Sequence, residues 1–266
     1  MKIHNPRGDS RKFFVKRLPD GRALINLGCG THMHPAWNNL DLSVYARLRR
    51  HMWLVFLLRW LGLISPERFA QFSEVEPDII LWNLQRGTPF EDKTFDVVYH
   101  SHLLEHIDRE DALAFLAECH RVLRPGGVIR VVVPDLEKWA SAYTYSLSMR
   151  LVENCIEEHE QIMASLLIQL VQREPTTRKM QKPVVRWLEH VLLGDSAKVG
   201  WQHRWMYDRL TLKALLGKAG FEECQLVTAW ESRIDGWKEF GLDTHADGSE
   251  YKPESIWMEG VCPTCG

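Results

Sequence analysis

Short apolar runs alternate with amphipathic stretches along much of the chain, and this alternation predicts a parallel β-sheet. Short apolar runs bounded by turns are typical of buried parallel strands. Five such strands are predicted in the first half of the chain, at residues 23–27, 40–42, 78–82, 94–99 and 128–133. Apolar residues at helical spacing predict a helix over residues 103–123, which Pro125, Gly126 and Gly127 end. We therefore expect an α/β fold, a Rossmann-like, doubly wound, mostly parallel seven-stranded sheet.

A long, mostly helical stretch interrupts this alternation after the fifth strand. Residues 136–200 carry apolar residues at helical spacing, and the polar break REPTTRKMQK at 173–182 precedes a further predicted helix at 184–193. The predicted elements that follow are a helix at 208–219 and two strands at 225–229 and 256–261. We expect one domain over residues 1–266, with 136–200 as a helical insertion that caps the active-site end of the sheet.

A second departure from the pattern is a hydrophobic helical segment at residues 45–72. From Met52 to Ile64 only Arg59 and Gly62 interrupt the apolar run, which is too short to span a bilayer. One interpretation is a helix buried against the sheet or against a partner in a homodimer. The other is a helix lying at a membrane interface, a peripheral contact in which nearby arginines meet lipid phosphates. Those arginines are Arg47, Arg49 and Arg50.

Composition and charge narrow the class of protein. The chain has 266 residues, 45% of them hydrophobic and 26% charged, with a formal net charge of -2. This is ordinary globular composition, and the absence of a basic field predicts no nucleic-acid partner. The chain start lacks the apolar stretch of a signal peptide, and the six cysteines are mostly isolated, so we expect a cytoplasmic protein with free thiols.

The last cysteines form a Cys-x-x-Cys pair, Cys262 and Cys265. One such pair is half of a zinc site, and the chain offers no second pair at a suitable spacing. We therefore expect no bound metal. A metal shared across a dimer stays open as the alternative.

The sequence INLGCG, followed by Asp41, is the strongest local motif. Glycines allow a sharp turn and a close ligand approach, and an acid at the end of the second strand can bind ribose hydroxyls. A dinucleotide-binding fingerprint would need a third glycine where Met33 stands, and an acid about 20 residues on. These residues alone predict a nucleotide-like ligand.

Three further segments make the motif more specific: TPFEDKTFDVVYHSHLLEHI, ECHRVLRPGGVIRVVVPDLE and HRWMYDRLTLKALLGKAGF. Together with LINLGCG and the later WNNLD, they resemble the class I S-adenosylmethionine-dependent methyltransferases. Within these, the chain is similar to the methyltransferase type 11-like group, which is associated with surface-polysaccharide and secondary-metabolite pathways. The resemblance covers residues 23–137 and resumes at 203–221 and 252–260.

The resemblance implies S-adenosyl-L-methionine as cofactor and a set of residues that bind it. Gly28 and Gly30 match the glycines under the methionine moiety and ribose, Asp41 matches the ribose-binding acid, and Asn83 stands where the family usually has an aspartate beside the adenine. The remaining predicted cofactor contacts are Asn26, Cys29, Leu42, Leu84, Ser101 and His102, the last two facing the methionine and the reactive methyl. The alternatives are that Asn83 only caps a turn and that Ser101 only caps the following helix.

Methyl transfer to a hydroxyl is helped by a general base. The candidates are His102, His106 and His203, although His106 lies where the family keeps Glu-His for local structure, and His203 has a capping or core role as its alternative. A fourth candidate, Asp135, is better interpreted as a helix N-cap. We expect O-methylation of a small-molecule or glycan acceptor. The alternatives are a membrane-surface enzyme acting on a lipid-linked acceptor, and a non-catalytic binding protein that retains the fold.

Overall fold

The computed structural model describes residues 13–42, 48, 51–62, 64, 66, 69, 78–153, 156–171 and 203–264. Within these ranges the strands are β1 (Leu24–Leu27), β2 (Asn38–Asp41), β3 (Ile80–Leu81), β4 (Phe95–Ser101), β5 (Leu123–Pro134), β6 (Glu222–Val227) and β7 (Ser255–Val261). The helices are α1 (Met52–Trp60), α2 (Arg109–Val122), α3 (Leu136–Glu153), α4 (Ile156–Val171), α5 (Arg209–Lys218) and α6 (Trp237–Phe240).

The seven strands form one sheet in the order β3-β2-β1-β4-β5-β7-β6, which confirms the predicted fold class. β1 to β5 pair in parallel, and β7 lies antiparallel between β5 and β6. The chain moves outward in one direction from β1 to β2 and β3, and in the other direction from β4 onward. The carboxyl ends of β1 and β4 therefore border the crevice at which open α/β sheets bind ligands.

The apolar runs at residues 23–27, 94–99 and 128–133 form largely buried strands of this sheet, whereas β3 is half-buried and β6 is mostly exposed. All four side chains of β1 are buried, as are those of residues 131–134 in β5. The helix predicted over residues 103–123 is wrong at its start. Leu104–His106 form a 3-10 turn, Ile107 is extended, and α2 begins only at Arg109. The break lets Leu104 and Glu105 point into the interior, which a continuous amphipathic helix with its polar face outward would not do.

A buried ion cluster joins the last strands to the sheet. Arg130 of β5 lies directly opposite Glu259 of β7, and its guanidinium contacts the carboxylates of Glu259 at 2.7 Å and Asp243 at 2.7 Å. The guanidinium carbon also lies 4.3 Å from the ring centroid of Trp237. The core thus supplies Arg130 with two carboxylate partners and each carboxylate with its counterion, as buried ions require.

The insertion after β5 begins with two helices, α3 and α4, which pack against each other. Asp135 caps α3, because its Oδ1 accepts a hydrogen bond from the backbone N–H of Glu137 at 2.9 Å. Asp208 caps α5 in the same way through the N–H groups of Leu210 and Thr211. The polar break predicted at 173–182 and the helix predicted at 184–193 lie outside the described residues.

The apolar helix α1 buries only Val55. Trp53 is 69% exposed and Trp60 is 79% exposed, and Phe56 also faces solvent. The interpretation of α1 as a helix buried against the sheet is therefore wrong for most of its side chains. Arg47, Arg49 and Arg50 lie outside the described residues. Among the described helices, none is both long enough and apolar enough to cross a membrane.

Candidate active site

The glycine turn follows β1 at the crevice. Gly28 and Gly30 adopt left-handed φ angles of 66° and 56°, which favour glycine. The Gly28 N–H donates to the carbonyl of Leu40 at 2.8 Å, so the turn is held against β2. A Cβ atom on Gly28 would lie 2.9 Å from the Leu103 side chain, whereas a Cβ on Gly30 would meet nothing within 4 Å. The backbone is thus open to a ligand at Gly30.

Asp41 ends β2 beside this turn. Its Oδ2 accepts a hydrogen bond from the Gly30 N–H at 2.5 Å. A carboxylate offers about four lone-pair positions, so the same group can also accept from ribose hydroxyls. The structure therefore brings Asp41, at the end of β2, together with Gly28 and Gly30 of the turn after β1.

Asn26 and Cys29 lie beneath the turn. The Asn26 amide is buried and donates to the His32 carbonyl at 3.2 Å. Cys29 is buried beside Ile79, and burial, with a smaller contribution from Asp41, raises the pKa of its thiol well above 9.0. Both side chains support the loop from inside. Leu42 follows Asp41 and is half-buried.

Asn83 and Leu84 follow β3 at the same edge of the sheet. The Asn83 Oδ1 accepts from the N–H of Gln85 at 3.0 Å, which is the turn-capping geometry that the sequence left as an alternative. The carbonyl oxygen retains a second lone pair for a ligand. Leu84 is half-buried and packs against the main core.

His102 follows Ser101 at the carboxyl end of β4. It has a left-handed φ of 49°, unusual for a residue with a side chain and typical of functional positions. Its N–H donates to the Val132 carbonyl at 2.9 Å, and its Nε2 lies 2.9 Å from the Ser255 hydroxyl. These contacts fix the backbone and the ring.

Glu105 is a central residue that the sequence reasoning did not select. It is 0% exposed, and within the described part of the chain neither carboxylate oxygen has a hydrogen-bond partner. His102 Nδ1 lies 3.3 Å from its Oε1, outside hydrogen-bonding geometry. Burial raises the pKa of Glu105 to about 8 and lowers the pKa of His102 to about 3. The sequence signal that could have identified Glu105 is its place in LLEHI, between two leucines and a histidine.

His203, which follows the insertion in the sequence, also joins this cluster. The Arg204 N–H donates to the Glu105 carbonyl at 2.7 Å, and the Leu136 N–H donates to the Tyr207 carbonyl at 3.0 Å. The segment after the insertion is therefore pinned between the turn after β4 and the end of β5. His203 Nε2 lies 4.0 Å from Glu105 Oε1.

The rings of His106 and His203 meet at a centroid distance of 5.0 Å. The three predicted histidines thus lie together around Glu105. Tyr207 completes the cluster, and burial, followed by the Glu105 charge, raises the pKa of its hydroxyl to about 12. Ser255 and Tyr207 are further members that the sequence reasoning missed. Both lie in segments that become adjacent to β4 only in the folded chain.

Comparison with known families adds to this geometry. Residues 64–131 match the family model described as a methyltransferase domain, and this range contains the end of β4 and Glu105. The strand order with a single antiparallel strand between β5 and β6 is the class I arrangement expected from the sequence. The matched segment, about a quarter of the chain, and the topology together indicate methyl-transfer activity with S-adenosylmethionine as cofactor. No curated protein matches the chain.

Solved structures that this chain resembles share little sequence with it. One match is a chain in the structure of a complex between the Trm112 methyltransferase activator of Haloferax volcanii and a methyltransferase. The two chains are 15% identical, the match covers 94% of this chain and 84% of that chain, and the TM-score is 0.40. An S-adenosylmethionine-dependent methyltransferase of Thermotoga maritima is 15% identical, with 92% of this chain and 83% of that chain covered and a TM-score of 0.40. The CurJ carbon methyltransferase is 13% identical with a TM-score of 0.40. The match covers 93% of this chain and 50% of that chain, so this chain spans half of that one.

Proposed function

We propose that the enzyme methylates a hydroxyl oxygen of a small-molecule or glycan acceptor by direct in-line transfer. The observation that carries this proposal is the group of three imidazoles beside the glycine turn. The Leu103 side chain lies 2.9 Å from where a Cβ of Gly28 would stand, and His102 precedes Leu103, so the histidine cluster adjoins the place proposed for the cofactor. Imidazoles are the commonest groups that take a proton from a reacting hydroxyl.

The cofactor is proposed to bind along the carboxyl ends of β1, β2 and β3. Gly30 leaves room for its methionine and ribose moieties, Gly28 lets the chain turn beside Leu103, and Asp41 accepts from the ribose hydroxyls. Asn83 and Leu84 are proposed to contact the adenine. The bound cofactor supplies a methyl group that its sulfonium already activates, so the protein mainly orients the acceptor.

His102 is the proposed base for the acceptor hydroxyl: burial lowers its pKa and keeps the ring neutral, and the acceptor hydroxyl takes the place of Ser255 at Nε2. Its ring is held by Ser255 on one side and faces Glu105 on the other, which fixes its direction. His203 and His106 line the same cluster from the segment after the insertion and from the 3-10 turn. We propose that they position the acceptor.

An acceptor screen with radiolabelled cofactor tests this function. The screen covers phenols, sugars, amines and carbon acids, and the linkage in the product is identified by mass spectrometry. We expect O-methyl products, with kcat lowered about 10²- to 10⁴-fold in His102→Ala and unchanged in the exposed control His51→Ala. Products methylated only on nitrogen or carbon contradict the proposal.

A second candidate is a membrane-surface enzyme that acts on a lipid-linked acceptor. The exposed Trp53, Phe56 and Trp60 of α1 favour it, because aromatic side chains on one short helix suit a bilayer interface. Flotation with anionic vesicles tests it. Binding should be lost in Trp53→Ser/Trp60→Ser and kept in Leu210→Ser, which removes an equally exposed apolar residue elsewhere. The exposed face of α1 is also the contact we propose for a homodimer, and sedimentation of the same variants tests it.

A further inference from the structure

We infer that Glu105, His106 and His203 form a binding site for one divalent transition-metal ion. One carboxylate oxygen and one ring nitrogen from each histidine all lie within 4.8 Å of one another. The three residues come from the 3-10 turn after β4 and from the segment that follows the insertion. Two parts of the chain that are distant in sequence therefore converge on one point.

The separations suit a metal ion. Metal–nitrogen and metal–oxygen bonds are about 2.0–2.2 Å, so two ligands of one ion lie about 3.4 Å apart in a tetrahedral site and no more than about 4.4 Å apart in any geometry. The distance from His203 Nε2 to Glu105 Oε1 is 4.0 Å, inside this limit. The widest separation in the set is at most 4.8 Å, and small rotations of the imidazole rings close the remainder.

The buried carboxylate of Glu105 is an independent indication. A buried polar group without a hydrogen bond is costly, and a buried carboxylate costs more than most. Glu105 is 0% exposed, and both of its oxygens lack a hydrogen-bond partner among the described residues. A cation placed between Glu105 and the two imidazoles satisfies this group.

The surroundings are those of a catalytic metal site. Three protein ligands leave at least one position open, as in catalytic zinc centres. His102 lies 3.3 Å from Glu105 Oε1 and is itself held by Ser255, so it can orient the carboxylate or face the open position. A set with two imidazoles and one carboxylate favours zinc, cobalt, nickel or iron over magnesium or calcium.

The metal site extends the proposed function. An acceptor oxygen in the open position would be held beside the glycine turn, since Leu103 links the two. Only this role in acceptor binding rests on the proposed O-methylation. Metal binding itself does not depend on it.

Titration of the chelator-treated full-length enzyme with cobalt(II) chloride, followed by visible absorption, tests the site. We expect one equivalent of Co²⁺ to give d–d bands, no thiolate charge-transfer band in the near ultraviolet, and displacement by Zn²⁺ but not by excess Mg²⁺. A thiolate band, or no saturable binding, overturns the proposal, since the terminal cysteines or scattered surface groups would then explain any uptake.

Variants locate the metal. Glu105→Gln, His106→Asn and His203→Asn should each weaken Co²⁺ binding by more than about a hundredfold, beyond the loss caused by outer-shell changes. The exposed His51→Asn should bind as the wild type does. Circular dichroism and S-adenosylhomocysteine binding check that each variant folds, and any two folded ligand variants suffice. Wild-type affinity in those variants overturns the site.

Methyl transfer is measured separately on the same samples. Metal binding without O-methylation would remove the proposed function and leave the metal site standing. O-methylation by a chain that binds no metal would remove the metal site and leave the proposed function standing.

Discussion

The Asp41 carboxylate at the end of β2 accepts a 2.5 Å hydrogen bond from the backbone N–H of Gly30. This contact ties the acid proposed to hold the ribose to the loop proposed to hold the methionine moiety. The loop is anchored at its other end as well, because the His32 ring stacks on Tyr251 at a centroid distance of 3.7 Å. The cofactor site proposed here is therefore shaped before any ligand binds.

Replacing Asp41 by alanine should weaken S-adenosylhomocysteine binding by about 1.5–3 kcal/mol, through the loss of hydrogen bonds to a charged group. This corresponds to roughly a 10- to 150-fold rise in Kd. Calorimetric titration measures it. The control Asp78→Ala removes the same charge from an exposed residue near the start of β3. Equal affinities for the two variants would show that the ribose is held elsewhere.

Gly28→Ala should lower the free energy of unfolding, measured by urea denaturation, more than Gly30→Ala does. Both substitutions force a side chain into a left-handed backbone conformation, which costs about 1–2 kcal/mol. Only the new methyl group at position 28 approaches another residue, at 2.9 Å from Leu103. The difference should therefore shrink when Leu103→Ala is added. Gly28→Val should abolish cofactor binding. A larger effect at Gly30 would contradict the packing described here.

Arg130→Met should lower the free energy of unfolding by about 3–5 kcal/mol, because it leaves the carboxylates of Asp243 and Glu259 buried without their counterion. Urea denaturation measures the change. Arg124→Met breaks the more exposed pair with Asp96 and should cost about 1 kcal/mol or less. Similar losses in the two variants would mean that the buried cluster contributes no more than a surface pair.

The N-cap of α5 should make a pH-dependent contribution to stability. Hydrogen bonds from Thr211, most strongly its backbone N–H, lower the pKa of Asp208. The cap therefore stabilises the fold above the unfolded pKa of about 3.9 and loses this contribution as the pH falls through the lower folded value. Asp208→Ala should cost about 1 kcal/mol at pH 7, and less below about pH 4. A constant difference in denaturation across pH 7, 5 and 3.5 would contradict this.

Local sequence patterns predict the sheet well, because the buried strands read as apolar runs whatever their partners. The glycine turn and Asp41 are likewise local features. The cluster around Glu105 could be predicted only in part. His102, Glu105 and His106 share one segment, but His203 joins them through the backbone pairing of Arg204 with Glu105, and Ser255 comes from an antiparallel strand added late in the chain. Contacts between such distant segments depend on the tertiary fold.

The Arg130 cluster shows the same limit. The sequence VIRVVV suggests that its arginine lies on the surface of a strand. Arg130 is nevertheless buried, because Glu259 lies opposite it on β7 and the Asp243 carboxylate pairs with its guanidinium. The reverse holds for α1, where the apolar pattern suggests a buried helix and Trp53 and Trp60 are exposed. Burial depends on what the rest of the fold brings to each face.

The most direct test of the account is calorimetric titration of the enzyme with S-adenosylhomocysteine, alongside Gly28→Val. The account predicts one binding site per chain in the wild type and no detectable binding in the variant, since the valine side chain collides with Leu103 and distorts the glycine turn. No binding to the wild type at up to about 1 mM, or equal binding by the folded variant, would contradict it.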